Sequence, residues 1–416
     1  MSSTDKPLSG FRILDLTHVW AGPLATRILG DMGAEVLKLE TAYQRGTKSA
    51  VSAIGLYAEG LSGEQHWNRQ AVTNKLNRNK KGICIDLKAE EGKALFLSLV
   101  SVCDVVIENF SAFAMKKLNL GFDVMQKHNA NIIYIGMPGY GGTGPNSDYL
   151  AFGPSVEPMT GLSALMGYSA NEPRNTAMAW PDAVAGVTAA AAVVTALAKQ
   201  KETGKGCHID LALHESAINM LGEKFVEAQL TGKAPEVRGN RHAEFAPQGI
   251  YPCAGEDEWI CISCQSENAW LAISKLCEAD WQTNPDYLSV ELRQKNHDQL
   301  DQEISTFTRK FNKQVLMKLL QENGIAAGAV MKMPDIMNDE QVKSRDYFVE
   351  LGDEEVGVLP FPGSPVLFDN ERAIDWRRAP KLGEHNQEVL SELLGLDESD
   401  IRRLSDAGII TDSPPD

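Results

Sequence analysis

The chain has 416 residues, 43% hydrophobic and 23% charged, with a formal net charge of -16. That length suits two or three domains with large cores, in a composition ordinary for a soluble globular protein. The acidity argues against nucleic-acid binding, and an anionic ligand would need a local basic patch.

Phe11–Leu16 is a short apolar strand. Ala21–Met32 is a helix, opened by Gly22-Pro23 and closed by Gly33. Strands follow at Glu35–Leu39, Ile83–Leu87, Val105–Glu108 and Ile132–Met137, with a helix over Glu90–Val100. Strands separated by helices predict parallel βαβ units and a doubly wound, Rossmann-like sheet. Asp182–Lys201 is a long helix. A turn at Thr203–Gly206 leads to a strand over Cys207–Leu211 and a helix over Leu213–Leu230. The texture then changes. Residues 231–248 are rich in Gly, Pro and charge and read as a linker. Gly249–Ser263 forms a hairpin that turns at Ala254–Asp257. Amphipathic helices run on to Glu322, prolines punctuate residues 334–365, and Gly383–Ile410 is helical and acidic.

Seven scattered cysteines are an odd count and suit reduced thiols in the cytoplasm. Cys261 and Cys264 have no second pair, and on a strand their sulfurs point to opposite faces, so no metal site is expected. Met1–Gly10 is polar, unlike a secretory signal. The uncharged stretch Ala183–Ala198 falls short of the roughly 18 to 20 residues of a membrane span and reads as a buried helix. No membrane partner is expected.

Gly139-Tyr140-Gly141-Gly142-Thr143-Gly144 matches the dinucleotide spacing, but Pro145-Asn146-Ser147 prolongs a loop where that motif needs a helix. Asn77-Arg78-Asn79-Lys80-Lys81 and Lys116-Lys117 are basic clusters next to strands, each either a solvated face or a phosphate cradle. The eight histidines lack metal-ligand spacing, and no G-x-S-x-G elbow is present. Asp182 follows Trp180-Pro181 and precedes an Ala-rich helix. It reads as an N-cap, or as a carboxylate kept ionised by the helix dipole with room for an acyl group beside it.

The segments Pro7–Leu16, His18–Pro23 and Gly30–Glu40 resemble the opening of the family III CoA-transferases, which include the formyl-CoA and carnitine CoA-transferases. The resemblance continues through Asn77–Gly82, Asp104–Phe110, Gly139–Pro145, Thr203–Gly206 and Pro380–His385. It implies an enzyme that moves CoA from an acyl-CoA donor to a carboxylic acid acceptor, with no cofactor beyond CoA as substrate. It places the nucleophile on Asp182 and the CoA contacts on Val19, Trp20, Leu87, Lys88, Asn109, Phe110, Lys117 and Tyr140. It also implies a large domain over 1–213, a linker over 214–240, and a smaller α+β domain over 241–332. A second linker over 333–355 and a C-terminal part over 356–416 would return the chain to the large domain. Each subunit would then be a ring, and two rings would interlock as a homodimer.

Three departures narrow the reading. Gln248–Trp259 lacks the glycine run of the formyl-CoA transferases. Thr41 stands where the family often has an arginine. The related α-methylacyl-CoA racemases carry a His and an Asp before the aspartate helix, whereas Ala151-Phe152-Gly153-Pro154 holds neither. A racemase is therefore the alternative activity, and a non-catalytic acyl-CoA binding protein the third.

Overall fold

A computed structural model describes residues 6–49, 56–169, 171–372 and 375–416, so the first five residues of the polar N-terminal stretch lie outside it. The chain divides into two compact units. One holds Met1–Leu162, Asn175–Val226 and Lys343–Asp416, and the other Ser163–Arg174 and Glu227–Val342.

The first unit is built on six strands: β1 (Arg12–Asp15), β2 (Glu35–Glu40), β3 (Lys80–Cys84), β4 (Val105–Glu108), β5 (Ile133–Gly136) and β6 (Cys207–Asp210). They pair in parallel, in the order β3-β2-β1-β4-β5-β6. This is the expected doubly wound sheet. The chain reverses its direction of travel between β1 and β4, which opens a crevice at their carboxyl ends where such sheets bind ligands.

The helices along this part of the chain are α1 (Ala21–Asp31), α2 (Ala71–Asn77), α3 (Glu90–Ser101), α4 (Ala114–Lys117), α5 (Phe122–His128), α6 (Gly153–Val156), α7 (Leu162–Leu165) and α8 (Trp180–Thr203). Strand side chains alternate between two cores. Leu14, Leu37 and Val106 pack with Phe96 and Leu99 of α3, Met125 of α5, and Val389 and Leu404 near the C-terminus. Ile13, Val36, Val105 and Ile133 pack with Ala21, Ala25 and Leu29 of α1 and Ala185, Ala189 and Val193 of α8. Each fully buried aliphatic side chain contributes about 1.5–3 kcal/mol.

Small residues set the distance between α1 and α8. A Cβ on Gly186 would meet the Ala21 carbonyl oxygen at 2.7 Å. Glycine thus permits the approach that carries the start of α8 to the start of α1. Among the described residues α8 is long and apolar enough to cross a membrane, yet half of that window is buried inside the protein. The helix is thus longer than the uncharged stretch suggested, and it is half-buried where a buried helix was expected.

Three local expectations are corrected. β3 begins at Lys80, three residues before the expected Ile83, because its lysines pair with carboxylates: Lys80 is buried on Asp15 and Lys81 is half-buried beside Glu35. α8 begins at Trp180, with Ala179 as its cap and Pro181 in the first turn, so Asp182 is not the cap. Proline suits a first turn because the N–H it lacks has no partner there anyway. The helix expected over Leu213–Leu230 is two helices, Leu213–Ile218 and Gly222–Thr231, joined by a tighter turn over Asn219–Leu221.

In the second unit β7 (Gln248–Pro252), β8 (Trp259–Ser263) and β9 (Ala326–Ala329) form an antiparallel sheet. The hairpin turns where expected, with Gly255 and Asp257 at φ +108° and +54°. Cys261, on β8, is exposed, and Cys264, one residue past the end of that strand, is buried. Trp270, Trp281 and Tyr287 form the aromatic part of this unit's core, with Ile260, Ile262 and Leu300.

Candidate active site

The site grows from a buried carboxylate at the end of β1. Asp15 accepts hydrogen bonds from the Thr17 N–H at 2.8 Å, the Thr17 hydroxyl at 2.5 Å and the Thr26 hydroxyl at 2.6 Å. The Lys80 ammonium donates to it at 2.9 Å. Lys38 stands 3.6 Å from Asp15 and donates to the Thr17 carbonyl. The next residue is pinned from β4: the Asn109 amide accepts the His18 N–H and donates to the His18 carbonyl, both at 2.8 Å. Val19 then takes φ +66°. A β-branched residue is strained there, a conformation that persists only where the surroundings over-determine the backbone.

Beneath this loop Glu108 accepts the Phe110 N–H and the Tyr134 hydroxyl, each at 2.6 Å. A Cβ on Gly136 would lie 2.9 Å from the same carboxylate, so glycine leaves its space open. Burial pushes the Glu108 carboxyl up to about 7, against the pull of those two donors.

These elements enclose a cavity of about 210 Å³. Its lining includes His18, Val19, Asn109 and Phe110, with Gly139, Tyr149 and Asp182. Asp182 is 6% exposed, and its Oδ2 is buried with no hydrogen-bond partner. Burial raises the Asp182 carboxyl above its ordinary value, opposed by the backbone N–H groups of Ala21 and of Asp182 itself. Burial thus works against the helix-dipole stabilisation of the ionised form expected from the sequence. A Cβ on Gly153 would stand 1.9 Å from Oδ2, so only glycine fits beside the carboxylate as it lies. Burial, then Lys38, depresses the His18 imidazole, so the ring beside the cavity is neutral near pH 7.

The structure brings part of the predicted CoA set together. Val19, Asn109 and Phe110 line the cavity with Asp182. Tyr140 packs edge-on against Tyr149 at 5.8 Å between centroids. Trp20 caps α1. Lys88 and Lys117 are exposed and do not line this cavity. The Leu87 side chain is buried in a core, leaving only its backbone to meet a ligand.

The cluster over residues 77–81 is not a phosphate cradle. Arg78 is bound to Asp31 by two hydrogen bonds, at 3.0 and 2.6 Å, and lies over Trp376. Lys80 is buried on Asp15, and Lys81 pairs with Glu35 and Glu388. The charges are structural because each has an acidic partner distant in sequence. The Gly-rich loop opens no helix, and its Gly142 N–H is taken by Asp210 at 2.9 Å; Gly139 is its member in the cavity. Sequence reasoning gave no role to Gly153 or Tyr149. Gly153 is revealed by Asp182, about thirty positions away, and Tyr149 by the cavity that it lines.

The family model described as CoA-transferase family III matches residues 8–386. Succinate–glutarate CoA-transferase of Agrobacterium fabrum is 30% identical over 394 residues, covering 94% of this chain and 97% of that protein. Succinyl-CoA–D-citramalate CoA-transferase of Chloroflexus aurantiacus is 29% identical over 407 residues, covering 97% and 98%. A crystal structure of a CAIB/BAIF family protein from Brucella suis superposes with a TM-score of 0.82 at 28% identity, over 93% of this chain and 99% of that one.

Proposed function

We propose, from the premise that the chain belongs to CoA-transferase family III, that it carries CoA between carboxylic acids through a covalent intermediate on Asp182. Transfer of CoA from an acyl-CoA to an acid is the activity of its relatives, and the protein is a transferase of that class. The finer reading is ours. The observation that carries it is the unpartnered, buried Asp182 oxygen in a cavity walled by His18, Val19, Asn109 and Phe110. A carboxylate oxygen shielded from water and left without a hydrogen-bond donor is a stronger nucleophile than a solvated one.

The steps balance without a further co-reactant. An Asp182 oxygen attacks the donor thioester carbonyl and CoA thiolate leaves, giving a mixed anhydride. The thiolate attacks the aspartyl carbonyl and releases the donor acid, leaving an aspartyl–CoA thioester. The acceptor carboxylate attacks that carbonyl and forms a second mixed anhydride as thiolate leaves again. The thiolate then takes the new acyl group, and Asp182 is regenerated. Each tetrahedral intermediate bears an oxyanion that needs a nearby N–H donor, and the backbone around Gly139 is our candidate.

The names of the relatives suggest short dicarboxylic acids as substrates. Purified protein given succinyl-CoA and glutarate should yield glutaryl-CoA and succinate, resolved by mass. Hydrolysis alone, across a panel of donors and acids, would refute the transferase reading. We extend the proposal to the interlocked homodimer. Tagged and untagged dimers mixed under native conditions should stay unmixed for hours, and rapid subunit exchange would rule interlocking out.

A further inference from the structure

We propose that His18 is a second catalytic residue, whose ring N–H donates a hydrogen bond to the CoA sulfur as the thiolate leaves and returns. The inference rests on the covalent Asp182 reading above and adds a role at that same site.

The residue is held from three sides. The Asn109 amide bonds both the N–H and the carbonyl of His18, each at 2.8 Å. The imidazole packs on Phe110, with 5.0 Å between ring centroids and 34° between planes. Val19 follows at φ +66°, which fixes the backbone beyond it. Yet the polar atoms of the ring are uncommitted. Among the described residues neither ring nitrogen has a hydrogen-bond partner. A neutral imidazole offers one N–H donor and one acceptor. Burial, then the Lys38 charge, disfavours the imidazolium, and Asp15 opposes them without prevailing.

His18 and Asp182 line the same cavity of about 210 Å³. It is smaller than the roughly 300 Å³ of an ordinary small-molecule pocket, so it takes an acyl group and the thiol end of CoA, not the whole carrier. An Asp182 oxygen must reach the thioester carbon, and the sulfur is bonded to that carbon. The sulfur therefore enters the cavity too. Val19, Phe110, Met137, Leu150 and Phe152 make much of the wall apolar. A thiolate expelled there loses its water, and apolar burial raises the pKa of a thiol. A thiol leaves faster when its pKa is lower. The carbonyl oxygen and the sulfur are separate atoms on one carbon and need separate donors. The backbone around Gly139 suits the first, and the ring of His18 suits the second.

Neutrality matters for two reasons. An imidazolium, with an ordinary pKa of about 6.5, would hand its proton to a thiolate of ordinary pKa about 8.5 and quench the nucleophile that must return. It would also pair with Asp182 and take up the Oδ2 that has no partner. A neutral ring does neither. As the Asp182 oxygen bonds to the acyl carbon, the electron pair of the carbon–sulfur bond leaves with sulfur. The ring N–H donates to that sulfur and keeps its proton. The same pair then forms the bond to the aspartyl carbonyl, so no further reactant is needed.

His18→Leu removes the donor and keeps an apolar contact for Phe110, and the bonds to Asn109 are main-chain bonds that survive it. This variant should lose about 10²- to 10³-fold in kcat, the usual cost of one donor to a developing charge, with CoA binding little changed. His18→Gln restores an N–H and should recover much of the loss. A second readout is one that packing alone would not move. CoA labelled with ¹³C beside its sulfur, bound to the protein and titrated by NMR, reports the pKa of the bound thiol. His18→Leu should raise that pKa by about 1 to 2, the worth of one charge-assisted hydrogen bond. A kcat near the parent value in His18→Leu overturns the proposal. So does a loss that falls wholly on CoA binding, or a bound-thiol pKa that does not move, either of which would assign the ring to packing on Phe110. Hydroxylamine trapping separates this idea from the reading beneath it. With a hydroxamate on Asp182 in the wild-type protein, any of those results overturns the role of His18 alone. Verified turnover with no hydroxamate at Asp182 overturns both.

Discussion

Asp182→Asn should leave a folded protein that still binds CoA and turns over at least about 10³-fold more slowly than the parent. The substitution removes the attacking oxygen and keeps the size of the side chain, so the loss falls on chemistry. Stability should hold or improve. The carboxyl is raised in the fold, so its charge opposes folding once the pH exceeds the ordinary carboxylate range, and the neutral amide removes that opposition. If Asp182 only stabilised the first turn of α8, asparagine would serve almost as well and activity would survive. A raised carboxyl also predicts that the acid limb of the wild-type pH–rate profile lies above the range of an ordinary aspartate. Covalent trapping is the direct measurement. Wild-type protein treated with donor and then hydroxylamine should carry a hydroxamate at Asp182, located by peptide mass mapping. A hydroxamate on another carboxylate, or turnover in Asp182→Asn near the parent rate, would show that the nucleophile lies elsewhere.

Local pattern carried much of this architecture. Apolar runs such as Val105–Glu108 and Ile132–Met137 are strands because both faces of the sheet are covered, and uninterrupted hydrophobicity marks that situation. The Ala-rich run after Asp182 is a helix that packs closely because its side chains are small. The failures share a cause. Charge reads as exposure when partners are distant in sequence, so Lys80 and Arg78 resembled a phosphate site although Asp15 and Asp31 neutralise them. The first turn of α8 hid behind Trp180-Pro181, since proline suggests an interruption where it serves as a start. Gly153 carries no chemical group, and it gains meaning only because a Cβ at that position would come within 1.9 Å of Asp182.

Asp15→Ala should destabilise the protein by about 3–5 kcal/mol near neutral pH, the usual cost of stripping one partner from a buried ion pair. Asp15 is wholly buried between Lys38 and Lys80. Burial alone would raise its carboxyl. Lys38, Lys80 and the hydroxyls of Thr17 and Thr26 overcome that and hold it well below the usual carboxylate range. Burial acts on Lys80 too, depressing its ammonium to about 8 in spite of Asp15. The favourable balance of the pair therefore sits on the aspartate, and Lys80→Met should cost less than Asp15→Ala. The double variant should be more stable than Asp15→Ala alone, because Met removes the cation left without its carboxylate. The pH dependence has a fixed sign. A depressed carboxyl stabilises the fold fully above its unfolded pKa, about 3.9. The gap between parent and Asp15→Ala in denaturant melts should then stay level from neutral pH down to about 5 and narrow as the pH falls further. The same anchor holds Thr17 and, through it, the strained turn at His18-Val19 over the cavity. Asp15→Ala should accordingly weaken CoA binding even below its melting temperature. A cost under about 1 kcal/mol, or a gap that widens in acid, would mean that the buried charges are not organised around Asp15.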